Sequence, residues 1–362
     1  MVIAILQLVV FSILFVDLVN GFSVERSTTA ASTTKKTTAA AAVETTETSA
    51  PNVVVQVWND VINDETCNSL HEAACQIGLG HRVFSRNMND DNDNNDDGGG
   101  GGPTNNIENI IDDILSELDD KSNFVEYWTR QEWRHIEAHA DIDEYLAKRQ
   151  QQDPFLYPVN GHVLYLQVGE KVRGPTCVFP GRRSGGDLLK DLDQSSSSSS
   201  SSPSSSSAVE LVTVPAVPGR LLRFQGDYLH AVPRPTDLWF LKFVQGAPQF
   251  EPESEWGRSV ILFNTWSEPP TEVPISQSTA TDNLGDNTCT DRVNWNQESF
   301  VDDPGNHVTG KEDPIAAKIW LLGDYKRRDH ALQTLKLTAP QSLRPALNET
   351  TEVSRIWLHQ QE

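Results

Sequence analysis

Apolar residues recur along this chain with two different periods. Cys67, Leu70, His71, Ala74 and Cys75 fall at i, i+3, i+4, i+7 and i+8. Ile107, Ile110, Ile111, Ile114, Leu115 and Leu118 follow the same rule. Each set lies on one stripe of a 3.6-residue helix, so the spacing predicts two amphipathic helices. Asn63 or Asp64 stands where the first of them needs a side-chain oxygen to accept from its free backbone N–H groups. Elsewhere the apolar runs are short and β-rich, at 52–58, 162–168, 174–179, 209–214, 220–224, 238–244 and 259–264. Pro- and Gly-containing turns separate them. The segment 315–324 reads as either helix or strand, with Trp320 and Leu321 in a core. Many short strands with few helices among them predict a mainly β fold with flanking helices, and specifically a double-sheet jelly roll.

The polar stretches set the boundaries. Residues 2–19 are apolar except for Gln7, Ser12 and Asp17, which predicts a signal peptide over 1–21; a membrane anchor is the alternative, because the length is near the lower limit for a span. Residues 22–51 are rich in Thr, Ala and Ser and cannot bury enough apolar surface to fold. They read as a disordered leader. A signal peptide followed by such a segment, with Phe22 near its start, resembles the bipartite plastid leader of algae with secondary plastids. The expected destination is therefore the secretory pathway (ER lumen or secreted), with the plastid as alternative. The sequon Asn348-Glu349-Thr350 matters only if the chain enters the ER lumen. Two low-complexity insertions, 87–104 (Asn, Asp, Gly) and 184–208 (mostly Ser), interrupt a domain expected over 52–268. The first lacks the ordered ligand positions of an EF-hand loop and reads as solvated loop. Residues 269–362 form a C-terminal extension of uncertain structure.

Charge narrows the partners. With 51 acidic against 29 basic residues the formal net charge is −22. That argues against nucleic acid and against stable membrane association once the leader is removed. A neutral or cationic substrate suits it better. The four cysteines, Cys67, Cys75, Cys177 and Cys289, are too few for a disulfide scaffold in a chain of this length. Eight residues of helix separate the first two by about 12 Å, beyond disulfide reach. Cys177 and Cys289 are left as a possible pair, with buried or free thiols the simpler reading of all four.

The candidate chemistry lies in His139-Ala140-Asp141. On a strand, residues i and i+2 point to one face, so an imidazole and a carboxylate aim at a common point. A third ligand is supplied by His230, after the turn Gly226-Asp227-Tyr228. Two His and one carboxylate on one side of an ion, with open positions opposite, is the geometry of non-haem Fe(II) oxygenases. Downstream, Arg258 opens the strand-like run 259–266, and Tyr165 precedes Gly174-Pro175-Thr176. Trp128, Trp133 and Trp266 read as core or as walls of the site. His71, His162, His307, His330 and His359 lack partners at ligand spacing and read as structural or exposed; His135, four before His139, could share its face and reads as a neighbour of the ligands or as surface.

In this order the residues over 53–266 resemble the Fe(II)/2-oxoglutarate-dependent dioxygenase superfamily, and within it the prolyl 4-hydroxylase-like branch. The resemblance implies a double-stranded β-helix (jelly-roll, cupin-like) core, with His139, Asp141 and His230 as metal ligands. It implies Arg258 as the cation that grips the far carboxylate of 2-oxoglutarate, and Tyr165 as a hydrogen-bond partner of that carboxylate. Lys242 is the rival to Arg258, because many prolyl hydroxylases use a lysine nearer the second histidine. Gly174-Pro175-Thr176 resembles the family's Gly-Gly-x-Thr turn. The spacing from Asp141 to His230 is long for the family until 184–208 is set aside. The implied reaction is hydroxylation of a C–H bond, coupled to conversion of 2-oxoglutarate to succinate and CO2. The implied cofactors are Fe(II) and 2-oxoglutarate, with ascorbate as a further candidate. The substrate expected from the branch is a prolyl residue of a protein or peptide; a small molecule is also open. Presence of Asp141 favours hydroxylation over halogenation, since the halogenating members lack that carboxylate. The rivals are a jelly-roll domain that binds metal without oxygen chemistry, and a metal-free interaction module.

Overall fold

The computed structural model describes residues 55–77, 80–86, 102–132, 136–150, 155–169, 174–183, 187–188, 208–233, 257–275, 315–321 and 333–360. The leader expected over 1–51, most of both low-complexity insertions and the strand expected at 238–244 lie outside them.

Both helices form where the periodicity places them. Helix α1 spans Asp64–Ile77, and the Asn63 side chain accepts from the Thr66 backbone N–H at 2.8 Å. Helix α2 spans Asn106–Glu117, with Asn105 accepting from Glu108 N–H at 3.0 Å. Such a cap contributes about 1 kcal/mol. Glu108 is itself buried and accepts from the Tyr127 hydroxyl at 2.9 Å, which ties α2 to the sheet below. Ile107, Ile111, Ile114 and Leu115 are fully buried. Each contributes roughly 1.5–3 kcal/mol by leaving water.

The strands are β1 (Val55–Trp58), β2 (Arg82–Ser85), β3 (Phe124–Glu132), β4 (Ile136–His139), β5 (Asn160–Val168), β6 (Thr176–Phe179) and β7 (Ala208–Val214). They continue with β8 (Leu221–Gln225), β9 (Leu229–Val232), β10 (Gly257–Trp266), β11 (Ile315–Leu321), β12 (Gln333–Ala339) and β13 (Ser354–Gln360). Two further short helices are α3 (Glu144–Gln150) and α4 (Leu343–Asn348). The segment left open between helix and strand is thus a strand, β11.

One sheet has the order β1-β8-β5-β10-β3-β2. The other has the order β11-β12-β13-β7-β6-β9-β4 and closes on itself through a single parallel pair, Leu321 with Ala138. Strands β3 to β10 carry the logic of the fold. β3, β5, β8 and β10 lie in the first sheet, and β4, β6, β7 and β9 in the second. Every connection crosses between sheets except β6 to β7. All pairings among these eight are antiparallel. This interleaving is a double-stranded β-helix, the jelly-roll core expected from the sequence. The strands after residue 268 extend the second sheet, with β13 pairing along β7 from Ser354↔Thr213 to His359↔Ala208.

Alternation along the strands builds the cores. Val163, Tyr165, Leu222, Phe224 and Val260 from the first sheet meet Val178, Val212 and Val214 from the second. On the first sheet's other face, Leu164, Leu166, Ile261 and Phe263 pack under α1 and α2. The register of β10 against β5 shifts between Ser259 and Val260. Such bulges re-aim side chains near sites, and this one lies beside Arg258.

Candidate metal centre

His139 ends β4 directly opposite His230 on β9. Asp141 lies two residues beyond the strand end, so the same-face argument accounts for His139 but not for Asp141. Pairing with β9 stops at His139, and the freed chain brings the carboxylate round. His139 Nε2 stands 3.6 Å from Asp141 Oδ1, and His230 Nε2 stands 3.8 Å from Asp141 Oδ2. One ligating atom from each of the three residues falls within 4.8 Å of the others, close enough to hold one ion between them. Gly226 starts the turn into β9, and a Cβ there collides with the Pro158 carbonyl. The turn that places His230 therefore requires glycine.

The surroundings orient all three groups. His139 Nδ1 lies 2.8 Å from the Glu137 carbonyl, and His230 Nδ1 lies 3.2 Å from the Tyr228 carbonyl. Each Nδ1–H donates to its carbonyl, which leaves Nε2 as the lone-pair nitrogen facing Asp141. Asn264 Nδ2 donates to Asp141 Oδ2 at 3.0 Å. Burial opposes charge on Asp141, but the neighbouring His230 and His139 imidazoles and the Asn264 amide together hold its carboxyl well below the usual range. Burial pushes His230 down to about 4, against the pull of Asp141. For His139 burial is outweighed by its Asp141 contact, and the value is raised. At neutral pH the set therefore offers a carboxylate and a neutral His230 imidazole, which is what metal ligation needs.

The same cavity, about 570 Å³ in volume, is walled by His139, Asp141, His230, Thr176, Arg258 and Asn264 among others. Arg258 is 2 % exposed. Its Nη2 donates to Thr176 Oγ1 at 3.0 Å, while its buried Nε has no partner. Among the described residues no carboxylate stands within ion-pair distance of it. Burial lowers its pKa from the ordinary value, with Tyr165 working the other way. A buried guanidinium without a counter-charge is expensive unless a ligand supplies one.

The structure thus gathers four of the five residues singled out from sequence around one hollow. Tyr165 stands behind them. Its hydroxyl shares a 2.7 Å hydrogen bond with Thr176 Oγ1, and its ring lies 5.1 Å under the Arg258 guanidinium. It holds Thr176 and Arg258 rather than walling the cavity. Lys242 and Trp133 lie outside the described residues. Trp128 walls the cavity, and Trp266 is buried with Nε1 donating to Glu126 at 3.2 Å. His162 is buried against Phe263, and His71 contacts Ser259 Oγ at 2.9 Å. Sequence reasoning missed Asn264. The signal was present: Asn264 lies an even number of residues after Arg258 on one strand, hence on the same face.

No family model matches the chain, and no curated protein does. Among solved structures the chain is similar to HygX from Streptomyces hygroscopicus with nickel and 2-oxoglutarate bound. The identity is 14 % and the TM-score 0.31, over 61 % of this chain and 85 % of that one. It is also similar to the viral collagen prolyl hydroxylase vCPH from Paramecium Bursaria Chlorella virus-1 in its 2-oxoglutarate complex. There the identity is 13 % and the TM-score 0.30, over 59 % of this chain and 95 % of that one. These likenesses are too distant to assign a family or an activity.

Proposed function

We propose that the chain is an Fe(II)- and 2-oxoglutarate-dependent dioxygenase that hydroxylates a C–H bond and releases succinate and CO2. The observation that carries the reading is the pairing of the His139, Asp141 and His230 set with a buried Arg258 that meets no carboxylate among the described residues, in one cavity. Ferrous iron, 2-oxoglutarate and O2 bound there supply the oxidising chemistry. The residues do the rest. His139, Asp141 and His230 are the residues that would hold the ion. Arg258 grips the far carboxylate of 2-oxoglutarate through its planar fork, helped by the Thr176 hydroxyl. Tyr165 fixes Thr176 by its hydroxyl and supports Arg258 by its ring. Asn264 keeps Asp141 turned toward the ion. Val163, Leu262 and Phe224 make that end apolar and keep water from the reacting atoms.

The finer proposal is a prolyl residue of a protein or peptide as substrate. Trp128, Tyr145, Phe155 and Tyr157 on the cavity wall suit a compact apolar ring. The alternative, metal binding without oxygen chemistry, leaves Arg258 with no role to offset its burial. The test is succinate release from 2-oxoglutarate with Fe(II), with and without ascorbate, over a panel of proline-containing peptides. Turnover lost in Asp141→Ala supports the proposal. No turnover and no iron uptake by well-folded protein rejects it.

A further inference from the structure

The cavity carries a second built feature that the metal set does not use. His81 and Glu126 both line it. Glu126 is 7 % exposed, and both of its oxygens are engaged. Oε1 meets His81 Nδ1 at 2.7 Å, and Oε2 accepts from Trp266 Nε1 at 3.2 Å. The His81 ring is stacked on Trp128, with centroids 4.6 Å apart and planes 7° from parallel. Its side chain is half-exposed. Glu126 and Trp128 stand two residues apart on β3, so both reach the cavity from one face of the strand. Glu126 is paired directly with Asn264, the residue that holds Asp141. The imidazole is therefore fixed at two points, one edge by a carboxylate and one face by an indole, on the wall of the cavity that the metal set also lines.

A surface histidine needs neither restraint. A carboxylate on Nδ1 makes that nitrogen the proton donor inside the pair and raises the tendency of the ring to carry a second proton. Nε2 has no partner among the described residues. We propose that His81, oriented by Glu126 and Trp128, is a substrate-binding residue that donates from Nε2 to an oxygen acceptor, a carboxylate or an amide carbonyl, on the molecule to be oxidised. This rests on the proposed function, because it makes the cavity a substrate site. Arg130, on the same face of β3, lines the same cavity.

The experiment uses the full chain loaded with Zn(II) and 2-oxoglutarate, so that binding is read without turnover. The probes are N-acetylproline, which carries a carboxylate, and its N-methylamide, which carries only amide carbonyls. Calorimetry gives their affinities, and histidine ring NMR reports on His81 directly. His81→Phe keeps the stack on Trp128 and removes the donor. It is expected to weaken probe binding by roughly tenfold or more, the size of one hydrogen bond from a charged donor. Loss with the carboxylate probe alone assigns a carboxylate acceptor; loss with both assigns the carbonyl. Glu126→Gln, which frees the ring from its charged partner, is expected to fall between. The inference is overturned if His81→Phe binds both probes like the wild type, if the His81 ring signals do not move on binding, or if the wild type binds neither probe. Zn(II) and 2-oxoglutarate binding, measured in parallel, separate this failure from failure of the dioxygenase reading.

Discussion

Replacing Arg258 by Met separates a residue kept for a ligand from one kept for the fold. The guanidinium is buried, no carboxylate of the described residues stands within ion-pair distance of it, and its Nη2 donates to the neutral Thr176 hydroxyl. Removing one partner of a buried, hydrogen-bonded charge pair costs about 2–5 kcal/mol of binding. Part of the Arg258 donor capacity is already spent on Thr176, so the lower end applies. That corresponds to a loss of roughly 30- to 100-fold in 2-oxoglutarate affinity. The free protein should respond in the opposite direction. Exchanging a buried charge that meets no carboxylate among the described residues for an apolar chain of similar length is neutral to stabilising, by up to about 4 kcal/mol. Against this stands about 1 kcal/mol for the lost Thr176 bond. The expected net effect is an unchanged or raised Tm without ligand. The assay is calorimetric titration of 2-oxoglutarate into Zn(II)-loaded protein, beside thermal unfolding of the ligand-free chain. Arg258→Lys keeps the charge without the fork and should recover only part of the affinity. An unchanged 2-oxoglutarate affinity in Arg258→Met, together with a lowered Tm, would mean that Arg258 serves the fold and would refute the reasoning.

Other outcomes follow from single contacts. Asn264→Leu removes the amide that orients Asp141, and should weaken Zn(II) binding by about 10- to 100-fold with little change in far-UV circular dichroism. For His81, burial disfavours the cation, but the Glu126 hydrogen bond and charge, with Asp141 and Glu144 beyond, raise the pKa above 6.5. The bound proton therefore stabilises the fold below that ordinary value and stops doing so as pH rises through the raised one. The Tm advantage of wild type over His81→Phe should be largest under mildly acidic conditions and shrink in alkali. Burial pushes the Cys67 and Cys177 thiols up to about 12. Mass-spectrometric mapping after brief alkylation at pH 8 should find both unmodified in native protein and modified after denaturation.

Much of the fold was legible because period and burial agree. Ile107 through Leu115 repeat at helical spacing, and the same residues are the ones packed on the first sheet. Strands such as β5 and β10 announced themselves by β-branched and aromatic runs between turns. What sequence could not supply was the pairing order, because interleaving of β3 to β10 is decided by contacts between residues far apart in the chain. The extension was harder still. β13 has an ordinary strand composition, and its place beside β7 depends on a partner more than a hundred residues away. In the site, the convergence of His139, Asp141 and His230 was foreshadowed by residue type and order, although Asp141 lies beyond the end of β4 rather than on it. Tyr165 was noticed for its resemblance, but only coordinates show it acting on Thr176. His81 gave no signal at all, because its meaning comes from Glu126 and Trp128 on another strand.

The most direct test of the central claim is anaerobic titration of Fe(II) into the full chain, followed by 2-oxoglutarate, in wild type and in Asp141→Ala. Expected are one equivalent of iron in the wild type, 2-oxoglutarate binding that depends on that iron, and loss of both in the variant. Iron bound equally well by Asp141→Ala, or 2-oxoglutarate bound with no dependence on iron, would contradict that claim.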